Sequence, residues 1–193
     1  MGEMIEESRR VARGAAGRVR VEIAMGSGEL AITGGASGLL DANFRYNVPE
    51  WRPAITYAEA DGRGVLRLEQ PQGGGAQVRN ARQRWELRLA PDVPIDLAIA
   101  VGTIEGNLLL GPLALGALDI ESGTASLVLD FSAARAPFDA TIQGGVINAT
   151  LRLPATVGAR VGVRVPLTTI NGGGLRRIDG DYVNGAYDAA AGA

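Results

Sequence analysis

Apolar and polar residues alternate in short runs through the first half of the chain. The runs lie at 18–23, 30–32, 43–48, 54–58, 65–69 and 84–89. A period of two is the spacing of a β-strand with one buried face. Turn residues such as the Gly26-Ser27-Gly28 triplet separate the runs about every ten residues. The pattern therefore predicts an all-β domain.

The second half of the chain repeats a strand–glycine–strand unit. Gly102, Gly123 and Gly144 are each 21 residues apart, and an earlier copy surrounds Gly26. A fixed period of about 20 residues indicates stacked rungs that bury each other's apolar faces. We predict a β-solenoid-like stack of strand–glycine–strand rungs with two flattened sheets, its glycines in the left-handed conformation that suits glycine. The predicted core residues are Leu97, Ile99, Leu118, Ile120, Leu127, Leu129, Ile142, Leu151 and Leu153.

The first 17 residues differ in pattern from the rest. Between Glu3 and Arg13 the acidic residues come first and the arginines last, which suits the dipole of a short helix. We predict that residues 1–17 are a helical or disordered leader and that residues 18–193 form a single β domain. The leader is too polar for a signal peptide, and the chain has no apolar run of about 18 residues to span a membrane.

The composition excludes several kinds of chemistry. The 193 residues include no cysteine and no histidine, and all 19 basic residues are arginine. A Ser-His-Asp triad, a thiolate metal site and a Schiff-base lysine are therefore impossible. The net charge of −2 also argues against a nucleic-acid partner.

Carboxylates remain as the possible basis of an enzyme. A pair of them could hydrolyse polysaccharides if it lay about 5–9.5 Å apart in a cleft, and this is the least favoured of three functions. The second half lacks tryptophan as a sugar platform, and its acids do not follow a calcium-loop pattern. The candidate acids are Asp92, Asp96, Glu105, Asp119, Glu121 and Asp130.

One glycine motif resembles a dinucleotide fingerprint. Residues 26–31 follow a strand and match its spacing, but that motif requires a helix next. Here Ile32-Thr33-Gly34-Gly35 ends a strand instead. We therefore expect a turn between strands and no cofactor.

Four arginines cluster around the Trp85 strand. They could bind an anionic ligand such as a lipid headgroup or a polyanionic polymer. Glu86 shares a strand face with two of them, however, and charge ladders of this kind are common on solvated sheets. We favour the solvated face over the binding site. The cluster comprises Arg79, Arg82, Arg84 and Arg88.

The densest aromatic stretch contains Phe44, Tyr46, Trp51 and Tyr57. Aromatic residues dominate interface hot spots, so Trp51 and Tyr57 are candidates for a docking surface. Each ring also buries much apolar area. We favour the alternative that the four rings fill the core at one end of the stack.

Three segments of the chain resemble the toast-rack domain of bacterial envelope proteins. They are Trp85–Gly102, Leu113–Asp130 and Phe44–Tyr57. Relatives include LiaF-like cell-wall-active antibiotic response proteins and adhesin-like proteins. The resemblance implies a non-enzymatic, envelope-associated interaction module in stress response or adhesion. We expect a soluble bacterial chain, either cytoplasmic or membrane-peripheral, with the soluble part of a membrane-associated protein as one option and the side of the membrane left open. A homo-oligomeric scaffold is the alternative.

The C-terminal end of the predicted stack lacks a recognisable final rung. Residues 170–178 include three consecutive glycines, and Asp188 onward offers only small residues. An uncovered strand edge can pair with another chain. We therefore expect Leu167, Thr169 and Ile170 to lie on an edge that takes a strand from a partner protein or from a second copy.

Overall fold

A computed structural model describes residues 3–71, 80–164, 167–171 and 174–187 of the chain, and no side chains within 165–173. Strands dominate the described residues, and the helical segments among them are the 3-10 helix Pro49–Trp51 and a short helical stretch at 185–187, so the predicted all-β class is confirmed. The strands are β1 (Ile5–Val11), β2 (Arg18–Gly34), β3 (Leu40–Tyr46), β4 (Ala54–Ala60), β5 (Arg63–Glu69), β6 (Gln83–Leu89), β7 (Ile95–Leu109), β8 (Leu115–Asp130), β9 (Phe138–Arg152), β10 (Ala159–Arg164), β11 (Leu167–Asn171), β12 (Arg176–Ile178) and β13 (Asp181–Val183).

Four long parallel strands make the centre of the stack. They lie in the order β2, β7, β8 and β9, and each pairs in register with the next along almost its whole length. Each is one rung of the predicted strand–glycine–strand unit. The two outer rungs are each in two pieces: β5 and β6 both pair with β2, and β10 and β11 both pair with β9.

Glycines mark the bend of every central rung. Gly26, Gly102, Gly123 and Gly145 take equivalent places in the register. Odd positions of β7 are buried before Gly102 and even positions after it, and β2, β8 and β9 change phase at the same place. This line divides the ladder into two flattened halves.

Two details of the predicted glycine ladder are wrong. The third rung is one residue longer, so Gly145 rather than Gly144 aligns with Gly123. These glycines also do not adopt positive φ. Glycine is required because the strands approach closely: a Cβ on Gly123 would lie 2.7 Å from the carbonyl oxygen of Gly102.

The interior is a single aliphatic cluster with a few rings. Eight of the nine predicted core residues are buried, and Leu153 is partly buried against them. Phe44 packs edge-on against Trp85 with ring centroids 5.3 Å apart, and Phe131 stacks on Phe138 at 4.6 Å. The core therefore runs through both halves of the ladder.

The helix predicted near the N-terminus is wrong. Ile5–Val11 form β1, which pairs antiparallel with β3. Only Ile5 and Val11 in this segment are apolar, so its hydrophobic pattern carried no signal. The segment is a strand through its pairing with β3, in which all seven of its residues have a partner. The turn predicted at the dinucleotide-like motif is wrong, because residues 26–31 lie within the continuous strand β2.

Candidate interaction surfaces

The arginines around Trp85 lie in a compensated charge ladder. Arg84 on β6 contacts Glu86 at 2.7 Å and Glu29 of β2 at 3.0 Å. Arg88 lies opposite Asp41 of β3. Arg82 is exposed, and its backbone N–H donates to the Asn47 side chain. Arg79 lies outside the described residues. The arrangement supports a solvated face more than an anion-binding patch.

The two aromatic docking candidates are engaged in packing. Trp51 is buried in the 3-10 helix. Tyr57 is half-buried against the core, and its hydroxyl donates to Glu59. Burial, with the hydrogen bond to Glu59, raises the pKa of Tyr57 to about 12. Phe44 and Tyr46 are also buried, so the placement of these rings favours a role in filling the end of the core.

The candidate catalytic acids are dispersed, and several are neutralised. Asp96 accepts two hydrogen bonds of 2.6 Å from Arg18. Asp92 pairs with Arg13. A bond from the Ser132 hydroxyl, with further ones from its backbone N–H and Arg152, holds the pKa of Asp130 below its ordinary value.

Two other acids line a shallow groove on the outer face of the first half-sheet. Asp119 and Glu121 of β8 form one wall, above a floor that includes Ala24, Ala98 and Ala100. The groove has a volume of about 380 Å³. Within the described ranges, no three acidic side chains converge as metal ligands.

A cluster of ion pairs around Glu7, near the N-terminus, was not predicted from the sequence. Glu7 of β1 accepts bonds of 3.0 and 2.9 Å from Arg52 and one of 3.2 Å from the Tyr46 hydroxyl. Arg9 pairs with the same carboxylate. The hydrogen bonds from Arg52, with the charges of Arg9 and Arg52, hold the pKa of Glu7 below its ordinary value. The cluster joins β1 and β3 to the segment before β4.

We expect Glu7→Gln to lower the free energy of unfolding by about 1–2 kcal/mol at pH 7, the range for bonds to charged groups near a surface. The folded-state pKa of Glu7 is depressed, so its contribution is present above about pH 4.5 and is lost as the pH falls through the folded-state value. Denaturant unfolding between pH 7 and pH 3 measures the difference. Glu6→Gln is the control, because Glu6 is 63% exposed. A difference from wild type that is independent of pH would contradict this assignment.

At the C-terminal end of the stack, described strands cover one half of the last rung and not the other. β10 pairs with β13, which in turn pairs with β12. β11 pairs in parallel with β9, Leu167 opposite Val146 and Asn171 opposite Thr150. Among the strands of the described residues, none pairs with the other edge of β11. Among the described strands, β11, which contains Leu167, Thr169 and Ile170, is therefore at an edge.

In the described part of the chain, no helix is long and apolar enough to cross a membrane. The family model for the N-terminal domain of toast_rack (DUF2154) matches residues 1–152. The chain belongs to this family. The match, together with the stacked strand–glycine–strand rungs, confirms the resemblance seen in the sequence, and the match ends before β10.

One solved structure extends the likeness of this toast-rack chain beyond the family match. A Clostridium sporogenes protein, provisionally described as a cell adhesion protein, is 28% identical and superposes with a TM-score of 0.83, covering 96% of this chain and 89% of that one. A provisional adhesin from Parabacteroides distasonis is 13% identical with a TM-score of 0.35, covering 88% of this chain and 78% of the other. No curated protein sequence matches the chain.

Proposed function

We propose that this toast-rack chain is a non-enzymatic, envelope-associated interaction module that binds an extended segment of a partner protein along the edge of β11 that no described strand covers. One observation carries the proposal. The last rung has two pieces, and a described strand covers β10 but not β11. An uncovered edge offers backbone donors and acceptors to an incoming strand.

The residue types of β11 suit strand addition. Leu167–Asn171 carries no charge and includes two threonines and an isoleucine, which favour extended structure. Edge strands elsewhere in the molecule carry charges, which discourage pairing with another chain. β1 has four charged residues, and β12 has two arginines in its three positions.

The surface beside β11 is also nearly free of charge. Ser126 and Asn148, and next to them Val128 and Thr150, lie on the outer face of the sheet. Thr169 and Asn171 of β11 are in register with Asn148 and Thr150. If another uncharged strand paired with β11, it would extend these rows, and no charged side chain would have to be removed from water. A second copy could supply that strand as well, which is the homo-oligomeric alternative.

Support for the place of action comes from the relatives. The Clostridium sporogenes structure is provisionally described as that of a cell adhesion protein. An adhesive or stress-sensing module at the envelope would need a stable β-sheet scaffold and an exposed edge that binds its partner, and it would need no catalytic group. The arginine face around Arg84 is a weaker candidate for an anionic polymer or headgroup, because Glu29 and Glu86 already pair with that residue.

A pair of proline variants tests the edge. Successive backbone N–H groups of a strand point to opposite neighbours, so one of Thr168 and Thr169 donates toward β9 and the other points away. We expect one proline variant to lose binding with an unchanged melting temperature, and the other to lose stability. Sedimentation over a wide concentration range measures self-association. An NMR titration with a peptide copying residues 146–152 measures the capture of an extended segment.

The outcomes separate the two candidates. Peptide binding at β11 by a chain that stays monomeric supports the interaction module. Self-association abolished by the same proline supports the scaffold instead. A monomer that binds no peptide, with neither proline variant differing from wild type in sedimentation, would contradict both.

A further inference from the structure

A pocket lies on the side of the stack where the chain passes from one rung to the next. Three consecutive connections form it, those from β6 to β7, from β7 to β8 and from β8 to β9, through residues 91–92, 110–115 and 131–138. Its volume is about 520 Å³. None of its lining residues belongs to β11 or pairs with it, so the pocket is separate from the edge on which the proposed function depends.

The lining of the pocket is almost entirely apolar. Twelve of its fourteen residues are aliphatic, aromatic, proline or glycine, and the other two are charged. Phe131 and Phe138 reach it from the core, where their rings stack at 4.6 Å, and the exposed residues Pro112 and Ala136 also line it. Pockets of about 300–1,000 Å³ with mostly apolar walls and a few polar groups are the usual form of a small-molecule site.

Backbone contacts hold the connections that form the pocket. The N–H of Gly111 donates to the carbonyl of Asp130 at 3.0 Å, and the N–H of Ala134 donates to the carbonyl of Phe131 at 2.8 Å. Two of the connections also touch at Gly111, where a Cβ would lie 2.7 Å from the backbone nitrogen of Ala133. The pocket is therefore preformed, and a ligand does not have to order these loops when it binds.

The two charged residues of the lining differ in whether their charge is balanced. Asp92 pairs with Arg13. Arg135 is exposed, and none of the hydrogen bonds or ion pairs within the described part of the chain involves its side chain. The pocket therefore combines an apolar interior with one unbalanced positive charge at its rim.

This combination defines the chemistry of a matching ligand. The ligand has an apolar body and a single negative charge, and a guanidinium binds a carboxylate through two parallel hydrogen bonds. A phosphate monoester carries about −1.5 to −2 charges at pH 7, which is more than Arg135 balances, and it would also face Asp92. A monocarboxylate with a hydrocarbon chain is therefore the better match.

We propose that this pocket binds a fatty acid, with the carboxylate on Arg135 and the hydrocarbon chain against the apolar lining that includes Pro112 and Phe138. A peptide would instead bring its backbone N–H and C=O groups into a lining with few polar side chains to receive them, and unsatisfied polar groups are costly to bury. A hydrocarbon chain carries no such groups. The fatty acid therefore accounts for both the apolar lining and the unbalanced arginine.

Isothermal titration calorimetry with octanoate, decanoate and dodecanoate, each below the concentration at which it forms micelles, tests the proposal on the whole chain. We expect one saturable site whose affinity rises about fourfold for each added CH₂, the gain for burying that group in an apolar site. Decanol has the same chain as decanoate and no charge. It should bind about two- to fivefold more weakly, the range for the loss of one exposed ion pair.

Two variants with matched controls locate the site. Arg135→Gln should abolish the preference for decanoate over decanol and leave the affinity for decanol unchanged. Ala136→Trp should abolish the binding of decanoate, because the indole would occupy the volume of the chain. Arg63→Gln and Ala58→Trp are the controls, since both residues are exposed and lie outside the pocket, and both variants should bind as wild type does. Thermal unfolding checks that each variant is folded.

Four results would overturn the proposal. The first is the lack of saturable binding of all three acids. The second is a wild-type chain that binds decanoate and decanol equally, or a preference that Arg135→Gln leaves unchanged. The third is decanoate binding that Ala136→Trp leaves unchanged. The fourth is Arg135-dependent binding to phosphatidylglycerol vesicles without binding of the free acids, which would assign these loops to a membrane surface.

The test is independent of the proposed function at β11. The proline variants of Thr168 and Thr169 should leave the affinity for decanoate unchanged, and Ala136→Trp should leave peptide binding at β11 unchanged. Failure of one proposal is therefore distinguishable from failure of the other.

Discussion

Replacing Gly123 by alanine is expected to lower the free energy of unfolding by about 2–3 kcal/mol, the cost of overpacking a closely packed site. The new Cβ would lie 2.7 Å from the carbonyl oxygen of Gly102. Neither backbone can move away freely, because Gly102 and Gly145 make the same close approach to their own neighbours, at 2.5 and 2.8 Å. The effect should appear in both chemical and thermal unfolding.

Gly17→Ala is the control for this prediction. Its Cβ would have one contact, at 3.9 Å from the oxygen of Gly62, and its φ is not positive. We expect a change within about 0.5 kcal/mol, as for most surface substitutions. Equal melting temperatures for the two variants would show that the glycine line does not set the packing of the rungs.

The second large effect is expected in the core. Leu127 of β8 is 3% exposed, and Leu127→Ala should lower the free energy of unfolding by about 2–5 kcal/mol through lost burial and a cavity. Arg84→Ala should stay within about 1 kcal/mol, because its ion pairs are on the surface. Denaturant unfolding measures both changes, from the shift in the midpoint when the dependence of the unfolding free energy on denaturant concentration is unchanged. A Leu127→Ala variant as stable as wild type would contradict the inward assignment of the odd positions of β8 after Gly123.

Periodicity explains why the rungs could be predicted from the sequence. The alternation of large aliphatic residues in β7, β8 and β9 is strong, and each run is centred on a glycine. The same signal could not show which of the consecutive residues Gly144 and Gly145 aligns with Gly123. The answer depends on whether the repeat at this point is 21 or 22 residues long. β1 was missed because its stability comes from pairing with β3 rather than from its own apolar pattern.

The site-level predictions depended more on contacts that the sequence does not show. Arg84 stands out as part of a basic cluster, but Glu29, distant in sequence, compensates it. Glu7, Tyr46 and Arg52 come from three separate segments, so no local spacing indicates their cluster. The edge predicted at Leu167 depended on counting rungs, and among the described strands none pairs with the free side of β11.

Amide hydrogen exchange at residue resolution across β11 tests the central claim most directly. In a dilute monomer, we predict that protection alternates along Leu167–Asn171, because every second N–H is bonded to β9 and the others have no partner among the described strands. Adding the peptide that copies residues 146–152 should then protect the remaining amides. Protection of every amide of β11 in the monomer, unchanged by the peptide, would show that the edge is already covered and would contradict the proposed binding function.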